Sequence, residues 1–155
     1  MTDNKRYWDQ LKKTDPKFTK RINKGFGEIT TIDPQWQIGK MTEVFGPVGV
    51  GWGYNVKYTY TEQLVFAEVS VWTNFKDTYG PVCSVQKLWR KTGALDDEAP
   101  KKAMTDAMTK ALSHLGMSAD VFLGMFDNSK YVEKVAEEYK SLNKSKVTEM
   151  KGSKL

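Results

Sequence analysis

A single cysteine and a single histidine among 155 residues exclude much chemistry at once. Cys83 has no second thiol to pair with, so neither an internal disulfide nor a multi-thiolate zinc site can form, as suits a reducing compartment. Its apolar neighbourhood reads as core. His114 is the one imidazole, and its helix-surface position reads as solvent-facing rather than as the base of a Ser-His-Asp set, so no catalytic residue is assigned. No apolar run nears the ~18 residues of a membrane span, and the N-terminal MTDNKRYWDQLKK lacks the apolar stretch of a signal peptide. A soluble, cytoplasmic protein with no membrane partner is expected. Gly49-Val50-Gly51-Trp52-Gly53 is glycine-rich but lacks GxxxxGK[ST] and leads into a strand, whereas a phosphate loop leads into a helix. No ATP site, cofactor or metal is indicated. Asp96-Asp97-Glu98 would supply oxygens for the magnesium of a nuclease, but the run is better explained as the capping, acidic start of a helix.

The charge that is present is unevenly placed. Residues 1–24 hold eight Lys/Arg (Lys5, Arg6, Lys12, Lys13, Lys17, Lys20, Arg21 and Lys24) against Asp3, Asp9 and Asp15, an excess of five that equals the formal charge of the whole chain, +5. A basic segment of this kind is either a solvated arm or the footprint of a polyanion binder.

Periodicity predicts an α+β fold. Tyr7, Trp8 and Leu11 share one side of a short helix that stops near Asp15-Pro16. A mobile stretch follows, with Gly25-Phe26-Gly27 as a breaker. Asp33-Pro34 then opens a helix through Phe45 with Trp36, Ile38, Met41, Val44 and Phe45 as its apolar set, ended by Gly46. From Trp52 to Tyr60 the alternation is unbroken, with Trp52, Tyr54, Val56, Tyr58 and Tyr60 on one face of a strand. After a turn near 61–63, Val65, Ala67, Val69, Val71 and Thr73 alternate with Phe66, Glu68, Ser70 and Trp72 in an antiparallel partner. A loop over 74–81 leads to a third strand, Val82–Lys91, alternating at Cys83, Val85 and Trp89, with a bulge or edge position expected at Lys87. Ala103, Met104, Ala107, Met108, Ala111, Leu112 and Leu115 then form the apolar stripe of a long helix that must pack on the sheet. A last helix begins near Asp127-Asn128 with Tyr131, Val132, Val135, Tyr139 and Leu142 at helical spacing. One domain over 1–142 is expected, followed by a disordered tail, 143–155.

Aromatics make up 12% of the chain, so bases as well as phosphates have potential partners. The Trp52–Tyr60 face reads first as core against the long helix; Phe26, Trp72 and Tyr79 read as the more exposed rings. Lys102, Asp106, Lys110 and His114 recur at i, i+4 on the polar side of the long helix, which is a solvated, ion-paired face unless a ligand meets it.

The order helix, three antiparallel strands, long helix, together with KKAMTDAMTKALSHLG (Lys101–Gly116), resembles the Rad fifty-two family of single-strand annealing proteins, especially its short phage Sak-like members. Phe45-Gly46-Pro47 and Gly51-Trp52 are similar to the family's helix-to-strand junction. Thr105-Asp106-Ala107, Lys110-Ala111-Leu112 and Leu115-Gly116 are similar to its long helix. The likeness runs from Leu11 to Lys130.

It implies a β-β-β-α core whose subunits join into a homo-oligomeric ring or helical arc, binding single-stranded DNA in a positive groove and annealing strands without ATP in recombination and repair. A cytoplasmic location follows, in a bacterial host if the chain is phage-encoded. The family's groove arginine falls on Arg21 and the second basic residue of its helix pair on Lys110. The first falls on Thr109 and a further arginine on Ser113, so that charge set is only partly present. Lys102, Lys20 and Lys24 are read as the compensating cations from charge alone. The long C-terminal region of eukaryotic members is missing; the tail would play a smaller recruiting role, with a single-strand-binding protein as partner. The rival reading is an oligomeric adaptor that recruits replication or recombination proteins.

Overall fold

A computed structural model describes residues 3–74 and 76–153. In chain order its elements are α1 (Arg6–Leu11), β1 (Thr19–Asn23), β2 (Glu28–Ile32), α2 (Pro34–Phe45), β3 (Trp52–Tyr60), β4 (Leu64–Thr73), β5 (Asp77–Lys87), α3 (Ala99–His114), α4 (Ala119–Phe122) and α5 (Ser129–Gly152). The chain divides into two compact units, Met1–Asp33 with Ser118–Leu155, and Pro34–Met117. Among the described residues no helix is long and apolar enough to cross a membrane.

The second unit is the expected α+β core, an antiparallel sheet of order β3-β4-β5 packed on α3. Alternation in β4 buries Val65, Ala67, Val69, Val71 and Thr73 on the helix side. They meet Ala99, Ala103, Ala107, Met108, Ala111 and Leu112 of α3, where the alanines let helix and sheet approach closely. Each larger side chain buried here contributes about 1.5–3 kcal/mol of transfer free energy. Trp52 is fully buried at the start of β3 and donates its indole N–H to the Thr42 hydroxyl of α2 (3.2 Å).

β5 departs from the expected third strand in extent and in facing. It begins at Asp77, inside the segment expected to be a loop, of which Phe75 lies outside the described residues. Tyr79 pairs with Val71 and Val82 with Val69, so Gly80 and Pro81 together oppose Ser70. This bulge inserts one residue and exchanges the faces of everything after it. Val82, Ser84 and Gln86 therefore face the helix side, and Cys83 and Val85, expected in the core, are exposed on the outer side. The bulge lies at Gly80-Pro81 rather than at Lys87, while the edge position expected there holds, since β5 is an edge strand, where a proline costs no ladder hydrogen bond.

In the first unit, the segment after α1 is stitched to α4 and α5. Leu11 is fully buried and its carbonyl accepts the Ser118 N–H (3.0 Å), while that of Lys12 accepts the Asp120 N–H (3.1 Å). Asp120, itself buried, accepts from the Thr14 N–H (2.9 Å), the Thr14 hydroxyl (2.7 Å) and the Tyr131 hydroxyl (2.9 Å). Burial and the adjoining Asp120 carboxylate push the Tyr131 phenol well up, which keeps its proton in place as donor. Lys13 adds an ion pair to Glu138 (2.7 Å), and its carbonyl accepts the Tyr139 hydroxyl (2.7 Å).

The stretch expected to be mobile is a β-hairpin. β1 and β2 pair in register from Thr19–Ile32 to Asn23–Glu28, and the Asp33 N–H returns to the Phe18 carbonyl (2.9 Å) at its base. At the other end of the chain, α5 starts on an Asn128 cap and continues through Gly152, where a disordered tail was expected from 143. The last two residues of that tail lie outside the described residues.

Candidate nucleic-acid interface

The five candidate cations fall into two sets. Lys20, Arg21 and Lys24 stand on the β1–β2 arm of the first unit; Lys102 and Lys110 stand on α3 of the second, about 12 Å apart along its axis at 1.5 Å per residue.

On the arm, the pleat separates the cations by face. Arg21 shares a face with Glu28 and is held by it (Nε to Oε2, 3.2 Å), by Asp127 (3.4 Å) and by the Phe126 carbonyl, to which it donates (3.4 Å). Lys20 lies on the opposite face with Ile22, and Lys24 follows at the start of the loop. Both lysines are exposed, and among the described residues neither makes an ion pair.

On α3 both lysines are paired. Lys110 reaches Asp106 (2.8 Å) one turn back. Burial is the largest single influence on Asp106 and works against its ionisation, but hydrogen bonding and the Lys110 charge together outweigh it and hold the carboxyl below its ordinary range. Lys102 binds Asp96 (2.9 Å), which also accepts the Glu98 N–H (3.1 Å) and lies 3.5 Å from Arg90. The Lys102 hydrogen bond chiefly sets the lowered pKa of that carboxyl. The first residue of the acidic run thus acts as a turn acceptor and ion-pair anchor, while Glu98, at the cap position, makes no side-chain cap. Among the described residues no group of three His, Cys, Asp or Glu side chains is placed to hold a metal ion. His114 is exposed but stacks on Tyr79 (4.8 Å between centroids, 22° between planes).

Comparison with protein-family models, curated proteins and solved structures returns no match.

The segments that carry the Rad fifty-two resemblance therefore stand on their own positions. Gly46 and Gly51 form the tight α2–β3 junction ahead of buried Trp52, and Gly51 has no room for a side chain against the Phe45 carbonyl. Thr105–Leu112 is the part of α3 that turns its alanines to the sheet and Lys110 to solvent.

The aromatic residues divide differently from the sequence expectation. α3 lies across β4 and β5 and touches β3 little, so the Trp52–Tyr60 face joins the core only as far as Val56. Tyr58 and Tyr60 are 40% and 57% exposed, with ring centroids 6.4 Å apart, on a strand whose outer edge is unpaired within the sheet. Trp72 is half-buried and lies flat over Gly53, where a Cβ would come within 2.5 Å of its ring. Phe26, by contrast, is fully presented to solvent. Sequence reasoning missed the arm that carries it, although β-branched Thr and Ile on both sides of Gly25-Phe26-Gly27 are a hairpin signal.

Proposed function

We propose that this chain is an ATP-independent single-stranded DNA-binding and strand-annealing protein of homologous recombination and repair, acting as a homo-oligomer, ring or helical arc, and not as an enzyme. The observation that carries the proposal is the arm: the charge excess of the chain resides in its first 24 residues, and Lys20 and Lys24 reach solvent there without a carboxylate partner. Arg21 on the same arm, and separately Lys102 and Lys110 on α3 of the second unit, take phosphates by exchanging partners. The Arg21 and Lys110 pairs are exposed on both sides and worth only about 0–1 kcal/mol, so a phosphate replaces a carboxylate there at little cost, whereas the Asp96 partner of Lys102 is only 13% exposed and holds its lysine more firmly.

Strand annealing needs no fuel, because duplex formation is itself downhill. The protein contributes by neutralising phosphates and so lowering the repulsion between two strands. Tyr58, Tyr60 and the open edge of β3 offer a neighbouring subunit an aromatic surface and free backbone groups. The same surface favours the second reading, an adaptor whose assembly recruits replication or recombination proteins such as a single-strand-binding protein. The two differ in what charge reversal does.

Lys24→Glu, Arg21→Glu and Lys110→Glu are each expected to weaken binding of a labelled oligonucleotide, and each lost contact should lower the salt slope by about 0.7. Unchanged affinity and slope in all three would remove the DNA-binding assignment. Partner capture retained by variants that no longer bind DNA would favour the adaptor.

A further inference from the structure

The β1–β2 arm ends in a four-residue loop, Lys24-Gly25-Phe26-Gly27. The Lys24 N–H donates to the Gly27 carbonyl (3.0 Å) and the Gly25 N–H to the Asn23 side chain (2.8 Å). Gly25 and Gly27 have φ of +84° and +145°, and a Cβ at either would meet nothing within 4 Å. Backbone conformation, not lack of space, is what calls for glycine there. Between them Phe26 is 84% exposed, more than any other large hydrophobic residue among those described. The arm's principal partner is itself, so the ring anchors no core.

An aromatic ring held at the apex of a self-supporting arm, beside cations with no carboxylate partner, matches a ligand that has a flat apolar face joined to a negative backbone. We infer that Phe26 stacks on an unpaired base of the bound strand while Lys24 takes a phosphate beside it and Lys20, roughly 13 Å back along β1 at ~3.3 Å per residue, takes one further along. This rests on the DNA-binding reading above and adds a base contact to its phosphate contacts. The stack requires a base released from its neighbours, so Phe26 separates single strand from duplex, which cations alone do not do. Ring–base stacking depends little on which base is present, as a protein that anneals any sequence requires.

The test is a double-substitution cycle at fixed salt. Wild-type protein, Phe26→Ala and Phe26→Trp are titrated with a labelled oligonucleotide and with one of equal length carrying abasic sites, and native mass is recorded for each protein. Loss of the stack is expected to weaken Phe26→Ala on the natural oligonucleotide about 5- to 150-fold for each subunit that engages the strand. The abasic oligonucleotide should bind wild type and Phe26→Ala alike, the salt slope should not change, and Phe26→Trp should keep wild-type affinity. Equal binding of the natural oligonucleotide by wild type and Phe26→Ala overturns the inference and leaves the phosphate contacts standing. Equal weakening on both oligonucleotides with a fall in native mass also overturns it, making Phe26 a contact between copies. Failure of wild type to bind either oligonucleotide removes the DNA-binding reading itself.

Discussion

Asp106→Asn should make the protein bind single-stranded DNA more tightly while making it slightly less stable. In the structure Asp106 lies 2.8 Å from Lys110, with side-chain exposures of 43% and 54%. A pair this exposed contributes about 0.3–0.5 kcal/mol to the helix. A phosphate that recruits Lys110 must loosen that pair and also approach the carboxylate well inside the ~10 Å screening length at 0.1 M salt. Relief of about 0.4 kcal/mol per subunit is roughly twofold in affinity, and a strand crossing four subunits would compound it to roughly 16-fold.

The effect should hold throughout the neutral range. The folded-state pKa of Asp106 is depressed, so its stabilising pair is complete above the ordinary carboxylate range near 4 and is lost only as pH falls through the lower folded value. The wild-type and variant proteins should therefore differ by a constant factor from pH 6 to 8. Fluorescence anisotropy of a labelled oligonucleotide at two salt concentrations measures the gain, and urea unfolding measures the loss. Tighter binding that fades at high salt supports Lys110 as a phosphate contact. Unchanged or weaker binding, with the small stability loss present, refutes it.

Tyr131→Phe removes one donor from the buried Asp120 carboxylate and should cost about 1.5–3 kcal/mol, read as a lowered urea or thermal midpoint; an unmoved midpoint contradicts the hydrogen bond. Cys83 should react with a maleimide in the native protein without prior unfolding, because the bulge turns it outward; protection until global unfolding would place it back in the core. Gly51→Ala should destabilise by on the order of 3 kcal/mol or more, since its Cβ would overlap the Phe45 carbonyl. Gly39→Ala, in the interior of α2 with open space around it, should stabilise by about 0.5–1 kcal/mol, and the pair of urea midpoints separates clash from helix propensity.

The parts of the fold that were legible in the sequence are those governed by one uninterrupted period. β3 was bounded residue for residue, β4 to within one residue, and α3 was recognised from its apolar stripe, because every core position there repeats at 2 or 3.6. β5 was misread because a bulge leaves alternation intact on either side while exchanging the faces, and Gly80-Pro81 reads locally as loop. The β1–β2 arm escaped because five-residue strands carrying Lys20, Arg21, Asn23 and Glu28 face no core and show no apolar alternation. The helix beyond Asn143 has no apolar period either; good helix formers prolong an already nucleated α5.

At the candidate site the cations themselves were legible and their partners only in part. The Lys110–Asp106 pair follows from i, i+4 spacing, whereas Arg21 meets Asp127 across 106 residues and Thr14 meets Asp120 across the same separation. Contacts that distant leave no local pattern. The free state of Lys20 and Lys24, which carries the functional proposal, is likewise a property of the folded arm.

Annealing of two complementary oligonucleotides in the absence of any nucleotide, followed in real time beside the native mass of the protein, tests the central claim most directly. Pairing is expected to proceed much faster than the spontaneous rate, to slow as salt rises, and to accompany an assembly of several subunits. A monomer that leaves the spontaneous rate unaltered at low ionic strength would contradict the account.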